Sequence, residues 1–170
     1  MLRTHSLDPF LNIATEDFLF NSAKAEEEVL FLWRNRASVI IGRNQNPWKE
    51  CRLEEMEKRG VELVRRHSGG GAVFHDLGNT NFSFVGPKSR HSKERNCEIL
   101  LKALKEPFGI QAELKGRNDV VLGETKVFFV FAFDFLFLIC VVRFLDTHTS
   151  TARLARFIME LFCATLTWNC

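Results

Sequence analysis

Cysteine pairs, signal-peptide features and an excess of charge are all missing from this sequence. Its five cysteines (Cys51, Cys97, Cys140, Cys163 and Cys170) lie far apart, with no CxxC pair and no histidine at zinc-finger spacing. A disulfide framework or a structural zinc site is therefore disfavoured, and a reducing compartment is expected. The first ten residues, MLRTHSLDPF, lack the continuous apolar core of a signal peptide. We expect a cytoplasmic or mitochondrial protein that is not secreted.

The balance of charge argues against nucleic acid as a partner. The 23 basic residues are offset by 21 acidic residues, which leaves a formal net charge of +2. A nucleic-acid-binding domain normally carries a basic stripe or patch. The chain has 170 residues, of which 46% are hydrophobic, so it is long enough to bury one core, and we expect a monomer.

The composition changes abruptly at Lys126. All ten glycines and all four prolines lie at or before Gly123, and no lysine follows Lys126. The last 43 residues hold nine of the 17 phenylalanines but only six charged residues. Their apolar run, Phe128 to Val142, is shorter than the roughly 20 residues that a membrane-spanning helix needs, and it contains Asp134. We therefore expect a buried strand pair or a non-native tail here, and no membrane span.

The first 50 residues contain one helix start and two apolar runs. Asp8 followed by Pro9 is typical of a helix start, and Leu11, Ala14 and Phe18 mark the predicted buried face of that helix. The runs VLFLW and SVIIGR predict two strands, and the short polar link between them predicts that they pair as a hairpin.

Helix and strand patterns continue to the end of the chain. WKECRLEEMEKR predicts a helix that ends at Gly60, and a second helix is predicted from about Lys93 to Lys105, before Pro107 and Gly109. Strands are predicted in VELVRR, GAVFHD, NFSFV, GIQAEL, NDVVL and TKVFF. The late segment TARLARFIMELF has apolar residues at helical spacing and predicts a core-facing helix.

The links between several strands are too short for a parallel crossover, and few helices separate the strands. This pattern predicts an α/β protein of the α+β type, with a mixed, mostly antiparallel sheet and helices packed on it. We assign residues 1–127 to one domain and residues 128–170 to a divergent hydrophobic tail.

Three consecutive glycines, Gly69 to Gly71, follow two arginines in the stretch RRHSGGGAVFHD. A ligand can approach such a main chain closely, and its N–H groups can converge on a phosphate or carboxylate oxygen. The spacing matches neither a Walker A motif nor a GxGxxG motif that opens a helix, and a tight hairpin would equally explain the glycines. Arg65 and Arg66 alternate on a strand, so at most one of them faces a ligand in the loop. His75 and Asp76 alternate in the same way, which argues against a catalytic pair.

Four segments resemble lipoate-protein ligases of the bacterial A type and their mitochondrial lipoyltransferase relatives. They are VLFLWRN, SVIIGRNQNPWKEC, RRHSGGGAVFHDLGN and GRNDVV, and the resemblance covers Leu7 to about Val127. It implies the fold of the biotin/lipoate-protein ligase catalytic domain, of which residues 1–127 would form the N-terminal part. It also implies a two-step reaction. Lipoate and ATP give lipoyl-AMP and pyrophosphate, and a lysine of an acceptor domain then takes the lipoyl group.

The resemblance implies roles for particular residues. Lys126 would be the catalytic lysine and would bridge the lipoate carboxylate and the α-phosphate, for which a compact charge on a flexible stem is suited. The nucleotide would lie against Arg66, Gly71, Ala72, Val73, Phe74 and Lys126. The substrate would lie against Arg43, Gly70, His75 and Asp119. Asp119 would orient Lys126 or bind Mg²⁺, with an exposed turn as the alternative. Trp48 would shape the lipoyl end of the site with Arg43, with burial in the core as its alternative.

The same resemblance implies ligands and partners. The ligands are ATP, Mg²⁺ and lipoate as substrate, with no metal resident in the protein. The partners are lipoyl domains of 2-oxoacid dehydrogenase E2 subunits and the glycine cleavage H protein.

The family's pattern breaks directly after Lys126. The family continues after lysine and valine with Ser-Gly-Ser-Ala, whereas this chain reads KVFFVFAF. Because the break coincides with the change of composition, it suggests an alternative or mis-joined end. The chain is then either a working ligase or lipoyltransferase, or an inactive truncated variant. Octanoyl transfer by a cysteine nucleophile is disfavoured, since no cysteine lies between Lys115 and Ile139.

Overall fold

Ten strands and four helices make up the described part of the chain. The computed structural model describes residues 1–22, 27–87, 92–115, 119–122, 125–133 and 137–143, the last two ranges as backbone. The strands are β1 (Leu2–Arg3), β2 (Val29–Trp33), β3 (Ser38–Ile41), β4 (Glu62–Arg65), β5 (Val73–His75), β6 (Asn79–Val85), β7 (Glu113–Lys115), β8 (Asp119–Leu122), β9 (Thr125–Phe133) and β10 (Phe137–Arg143). The helices are α1 (Pro9–Ser22), α2 (Pro47–Glu50), α3 (Leu53–Lys58) and α4 (Lys93–Phe108).

The strands form two sheets. The larger has seven strands in the order β1-β2-β6-β10-β9-β8-β7, and the smaller has three in the order β4-β3-β5. Among the described strands, only the pairs β1–β2 and β3–β4 are parallel, and the other pairs are antiparallel. The prediction of a mixed, mostly antiparallel sheet with helices is confirmed.

The predicted hairpin between VLFLW and SVIIGR is wrong, although both strands form. β2 pairs with β1 and β6 in the larger sheet, whereas β3 pairs with β4 and β5 in the smaller one. The reason is that both faces of β2 are covered. Leu30 and Leu32 belong to one core cluster, and Phe31 and Trp33 belong to another. A strand buried on both faces has no polar side to reveal which neighbour it joins.

The two core clusters define three layers. On one face of the larger sheet, Leu100 and Leu104 of α4 pack against side chains of β2 and β6. On the opposite face, Ile13 of α1, Ile40 of β3 and Val64 of β4 pack against β2. Each fully buried apolar side chain contributes about 2 kcal/mol. The larger sheet therefore lies between α4 on one side and α1 with the smaller sheet on the other.

Helix α1 starts where predicted but buries a different face. Asp8 Oδ1 accepts hydrogen bonds from the backbone N–H groups of Phe10 (2.9 Å) and Leu11 (3.0 Å), which confirms the cap. The predicted apolar face is wrong, because Leu11 is 55% exposed, Phe18 is 66% exposed and Ala14 is exposed. The buried face instead carries Asn12, Ile13 and Glu16. The apolar residues at helical spacing on α1 therefore lie on its exposed side and not in the core.

The remaining helices differ from prediction at their ends. The single helix predicted from Trp48 to Arg59 is two short helices, because Cys51 is extended, with φ −130° and ψ 146°. Helix α4 runs through Pro107 and ends at Gly109, whose φ of 65° is left-handed. None of the helices in the described part of the chain is long and apolar enough to cross a membrane.

Of the two alternatives expected after Lys126, a strand pair is present, and its burial lies outside what the structure describes. β9 and β10 pair antiparallel, and β10 also pairs with β6, from Phe137 opposite Val85 to Arg143 opposite Asn79. The larger sheet thus runs across the boundary at residues 127 and 128. The helix predicted in TARLARFIMELF lies outside the described residues.

Candidate functional site

The glycine loop connects β4 to β5, and Arg66 holds it from inside. The Arg66 side chain is 6% exposed and donates to main-chain carbonyls. Its Nη2 donates to the carbonyl oxygens of Gly69 (2.8 Å) and Gly71 (2.7 Å), and its Nη1 donates to that of Ile40 (3.0 Å). Burial lowers the pKa of Arg66, and the nearby Glu16 carboxyl opposes this shift. The guanidinium fork therefore fixes the loop to the end of β3.

Arg65 points the other way, as the alternation predicts. Its Nη1 donates to the carbonyl oxygens of Gly42 (3.0 Å), Arg43 (3.1 Å) and Gln45 (2.8 Å). The Arg43 N–H donates in turn to the Ser68 carbonyl (2.9 Å). The segment after β3 and the glycine loop are thus one hydrogen-bonded unit.

The physical reason for a glycine differs from one position of this unit to the next. A Cβ on Gly42 would lie 2.2 Å from the Gly70 carbonyl oxygen, so the fold itself requires a glycine there. Gly70 has φ of 93°, which side chains rarely adopt. Gly71 has neither constraint, because its φ lies outside the left-handed region and a Cβ would meet nothing within 4 Å among the described residues. Because Gly71 has no side chain, the exposed side of the loop stays open at this position.

A chain of buried polar side chains lies behind the loop. Asn12 Nδ2 donates to Asn35 Oδ1 (2.9 Å), and Asn35 Nδ2 lies 3.1 Å from His75 Nδ1. His75 is 2% exposed, and its ring meets that of Trp33 edge-on at 5.7 Å between centroids. Burial, and then the Arg66 charge, lower the pKa of His75 to about 4. The imidazole is therefore neutral at physiological pH.

The absence of a His75–Asp76 pair is explained by the turn that follows β5. Asp76 Oδ1 accepts a hydrogen bond from the Gly78 N–H (2.9 Å), while His75 points into the interior. The two side chains diverge, as expected for neighbours on a strand.

Glu16 brings a carboxyl group into the same interior. It is 4% exposed and accepts a hydrogen bond from Ser83 Oγ, to which Trp33 Nε1 also donates (3.2 Å). Burial raises the pKa of Glu16 to about 7, whereas the Ser83 hydrogen bond and the Arg66 charge oppose the rise. The interior therefore holds a carboxyl group close to its titration point and a guanidinium that stays charged.

Several buried polar atoms here have no hydrogen-bond partner among the described residues. They include Asn12 Oδ1, Ser68 Oγ, His75 Nε2, Asn79 Oδ1, Thr80 Oγ1 and both amide atoms of Asn81. Leaving such an atom unpaired costs about 1–3 kcal/mol, so a group of them needs an explanation. A bound polar ligand would satisfy them, so we take the region where these atoms lie, behind and beside the glycine loop, as the candidate site.

The sequence patterns did not point to most of this interior. The buried polar residues that they missed are Asn12, Glu16, Asn35, Ser68, Asn79, Asn81 and Ser83. A signal was available in NTNFSFV. Asn79, Asn81 and Ser83 alternate with apolar Phe82 and Phe84 on a strand that is buried throughout.

The residues named from the resemblance are found in three settings. Arg66 and His75 lie in the interior, Gly70, Gly71, Ala72, Val73 and Phe74 form the loop and β5, and Arg43 is exposed beside the loop. Trp48 is 78% exposed, so its burial in the core is wrong. Asp119 begins β8 instead of lying in a turn, and Lys126 lies in β9 opposite Val121. The side chains of Asp119 and Lys126 lie outside what the structure describes.

The family model of the lipoyl protein ligase A/B catalytic domain matches residues 8–128. Over 127 residues the chain is 50% identical to "Lipoate-protein ligase A" of Psychrobacter cryohalolentis, which covers 75% of this chain and 37% of that protein. Over 117 residues it is 55% identical to "Lipoate-protein ligase A" of Bdellovibrio bacteriovorus, covering 69% and 34%. The chain belongs to the lipoyl protein ligase A/B catalytic domain family. It spans about a third of the length of these curated relatives.

Solved structures agree with this assignment. LipL1 of P. falciparum in complex with lipoate has a TM-score of 0.77 and 29% identity, over 99% of this chain and 61% of that chain. A bi-partite lipoate-protein ligase of Thermoplasma acidophilum, solved with its E2 lipoyl domain, has a TM-score of 0.69 and 23% identity, over 97% and 82%. A lipoate-protein ligase A bound with ATP has a TM-score of 0.65 and 24% identity, over 91% and 79%. The last two structures are less than 25% identical to this chain, so they show a shared fold and nothing more.

Proposed function

We propose that this chain carries the ligand-binding half of a lipoate-protein ligase. The reaction activates lipoate with ATP to lipoyl-AMP and transfers the lipoyl group to a lysine of an acceptor lipoyl domain. The observation that carries the proposal is that Arg66 binds the carbonyl groups of the glycine loop and so fixes the direction of its peptide groups. Family membership and the lipoate complex of a structural neighbour support it.

The orientation of the loop creates a site for anionic oxygens. In a trans peptide the C=O of one residue and the N–H of the next point in opposite directions. Because the carbonyls of Gly69 and Gly71 face Arg66, the N–H groups of Gly70 and Ala72 face away from it. Gly71 and Ala72 are exposed, so both donors lie on the open side of the loop. N–H donors on the open side of the loop, with a fixed positive charge behind it, suit a phosphate or carboxylate.

This arrangement fits adenylate formation. Joining a carboxylate to an α-phosphate brings two anions together, so fixed donors and charges matter more than a general base. We assign the nucleotide to Arg66 and the stretch from Gly71 to Phe74, and the bridging charge to Lys126. Arg43, Gly70, His75 and Asp119 are assigned to the substrate side.

Magnesium would accompany the nucleotide. In the described part of the chain no three His, Cys, Asp or Glu residues are grouped to hold a metal ion. Mg²⁺ in nucleotide sites is usually held by phosphate oxygens and water together with one or two carboxylates. Asp119 is the carboxylate that we propose for this role.

We propose E2 lipoyl domains and the glycine cleavage H protein as acceptors, and a monomeric enzyme in the cytoplasm or in mitochondria. The T. acidophilum neighbour was solved together with its E2 lipoyl domain, which supports the first acceptor class.

A second candidate is an inactive truncated variant of the same enzyme. The family match ends at residue 128, where the composition changes, and phenylalanines stand where the family has serine and glycine. Bulky rings there would block the approach of backbone to ligand and remove polar partners.

The decisive experiment compares two proteins that share residues 1–127. One is this chain, and the other carries the family's continuation from residue 128 onward. Lipoate-dependent pyrophosphate release and lipoylation of an E2 lipoyl domain are measured, with Lys126→Ala in the second protein as the control. Turnover in the second protein alone supports the truncated variant, and turnover in both supports a working ligase. If neither turns over, the proposed chemistry is refuted, and activity that survives Lys126→Ala refutes the role of the lysine.

A further inference from the structure

We propose that Asn12 and Asn35 are positioning residues that hold His75 as the tautomer protonated on Nε2. The Nε2–H then donates a hydrogen bond to an anionic oxygen of the bound ligand. The inference rests on the proposed function for the nature of that ligand, but the tautomer itself follows from contacts within the chain.

The first step is the orientation of the Asn12 amide. Asn12 Nδ2 lies 3.0 Å from the carbonyl oxygen of Ser6 and 2.8 Å from that of Arg34. Backbone carbonyls only accept hydrogen bonds, so the atom facing them must be the nitrogen. A flipped amide would place Oδ1 against two other oxygens. The amide nitrogen has two hydrogens for three acceptors, so one hydrogen is shared, and it is the nitrogen of Asn12 that faces its third neighbour, Asn35.

The second step passes this orientation to Asn35. Because an amide nitrogen does not accept hydrogen bonds, the Asn35 atom 2.9 Å from Asn12 Nδ2 must be Oδ1 and not Nδ2. The Asn35 Nδ2 group then faces His75 Nδ1 at 3.1 Å. An amide nitrogen only donates, so Nδ1 must be the unprotonated nitrogen. In a neutral imidazole the proton then lies on Nε2.

The third step concerns where the proton points. The ring is almost fully buried and the interior disfavours its charged form, so the imidazole is neutral and carries one proton. Nε2 has no hydrogen-bond partner among the described residues. A buried N–H held in one tautomer and left unpaired is a preorganised donor, and preorganised donors stabilise developing negative charge without reorganisation cost.

The acceptor is an anionic oxygen, and two ligands of the proposed reaction offer one. The lipoate carboxylate and the nucleotide phosphates share this chemistry. Arg66 supplies the fixed charge of the site, whereas His75 supplies a neutral, directional donor. The two side chains are therefore not interchangeable.

The test is NMR of the full chain, labelled with nitrogen-15, at neutral pH. Correlations between the ring nitrogens and the carbon-bound ring protons distinguish the two tautomers. The chain has five histidines, so His75 is assigned from the signals lost in His75→Gln. We expect the Nε2–H form in the wild type. Asn35→Asp replaces the donor toward Nδ1 by an acceptor and is expected to switch His75 to the Nδ1–H or charged form. Asn21→Asp makes the same charge change at an exposed site on α1 and should leave His75 unchanged.

Lipoate alone and ATP alone are then added in separate samples. A shift of the His75 Nε2 signal in one sample identifies which oxygen it meets. An Nδ1–H or charged His75 in the wild type overturns the inference without any variant, so a failure of Asn35→Asp to fold leaves it testable. Binding of both ligands with no response at Nε2 overturns the donor role while the proposed function stands. Binding of neither ligand refutes the proposed function, and the free chain still decides the tautomer.

Discussion

Gly42 lies directly beneath Gly70, so close that a Cβ on Gly42 would be 2.2 Å from the Gly70 carbonyl oxygen. The contact is between two main-chain segments, and Arg65 and Arg66 brace it from either side. The glycine loop is therefore positioned by backbone packing as well as by charge.

Gly42→Ala should destabilise the fold, whereas Gly71→Ala should not. The first substitution forces two backbone segments apart, and overpacking of this kind costs about 3 kcal/mol. The second adds a methyl group with no neighbour within 4 Å in the described structure, and we expect a change within about 0.5 kcal/mol. Urea unfolding measures both. Calorimetric titration with ATP should show at least about tenfold weaker binding for Gly71→Ala, since the methyl group occupies the space of the ligand. Unchanged affinity would place the ligand elsewhere.

Arg66→Lys should loosen the glycine loop far more than Arg65→Lys does. A lysine is a point charge and cannot reach the carbonyls of Ile40, Gly69 and Gly71 together. Losing charged hydrogen bonds in a buried site costs about 1.5–3 kcal/mol each. Arg65 uses one nitrogen for its three acceptors, which an ammonium can replace. Limited proteolysis of the loop and urea midpoints measure the difference. Equal effects of the two variants would contradict the view that Arg66 holds the glycine loop through its buried hydrogen bonds.

Trp33 and Trp48 should differ strongly in how much their truncation destabilises the fold. Trp33 is 2% exposed, stacks on Phe31 and donates to Ser83. Trp33→Ala is expected to cost about 3–5 kcal/mol. Trp48 is 78% exposed, so Trp48→Ala should change stability by less than about 0.5 kcal/mol. A large loss for Trp48→Ala in chemical denaturation would show that this ring is covered in solution.

Glu16→Gln and His75→Gln should give the protein opposite pH dependences. The pKa of His75 falls from 6.5 to about 4 on folding, so its contribution is present above pH 6.5 and is lost as pH falls toward 4. The pKa of Glu16 rises from 4.5 to about 7, so its contribution is present below pH 4.5 and is lost as pH rises through 7. Each pKa change alters the free energy of unfolding by about 3 kcal/mol across its pH range. The two changes have opposite pH dependence, so they largely cancel in the wild type.

Free energies of unfolding measured between pH 4.5 and 6.5 check this expectation. Glu16→Gln leaves the histidine alone and should become less stable on acidification. His75→Gln leaves the carboxyl group alone and should become more stable. Parallel slopes in the two variants would contradict the assigned directions.

The strand content of the chain was predictable from the sequence because short apolar runs bounded by glycine, proline and polar residues are local signals. VLFLW matches β2 at both ends, and the strands on either side of the glycine loop form as expected. Sheet membership was not predictable, since β2 and β3 are apolar along their length and reveal no exposed face.

The polar interior escaped prediction for a different reason. Apolar spacing on α1 selected Leu11 and Phe18, both of which are exposed. The loop after β2 accepts hydrogen bonds from the amide nitrogen of Asn12, and Ser83 on β6 donates one to the Glu16 carboxyl group. Such partners come from distant parts of the chain, and a local pattern cannot show them.

Strand β10 has a consequence for how the protein is made. The larger sheet consists of β1, β2 and β6 on one side and β9, β8 and β7 on the other, and β10 alone joins them. Because β10 follows β1 to β9 along the chain, the ribosome synthesises these strands before the sheet can close. Until then, β6 and β9 each expose an unpaired edge that a second nascent chain or a chaperone can bind. The yield of folded protein in a cell thus depends on a segment outside the family match.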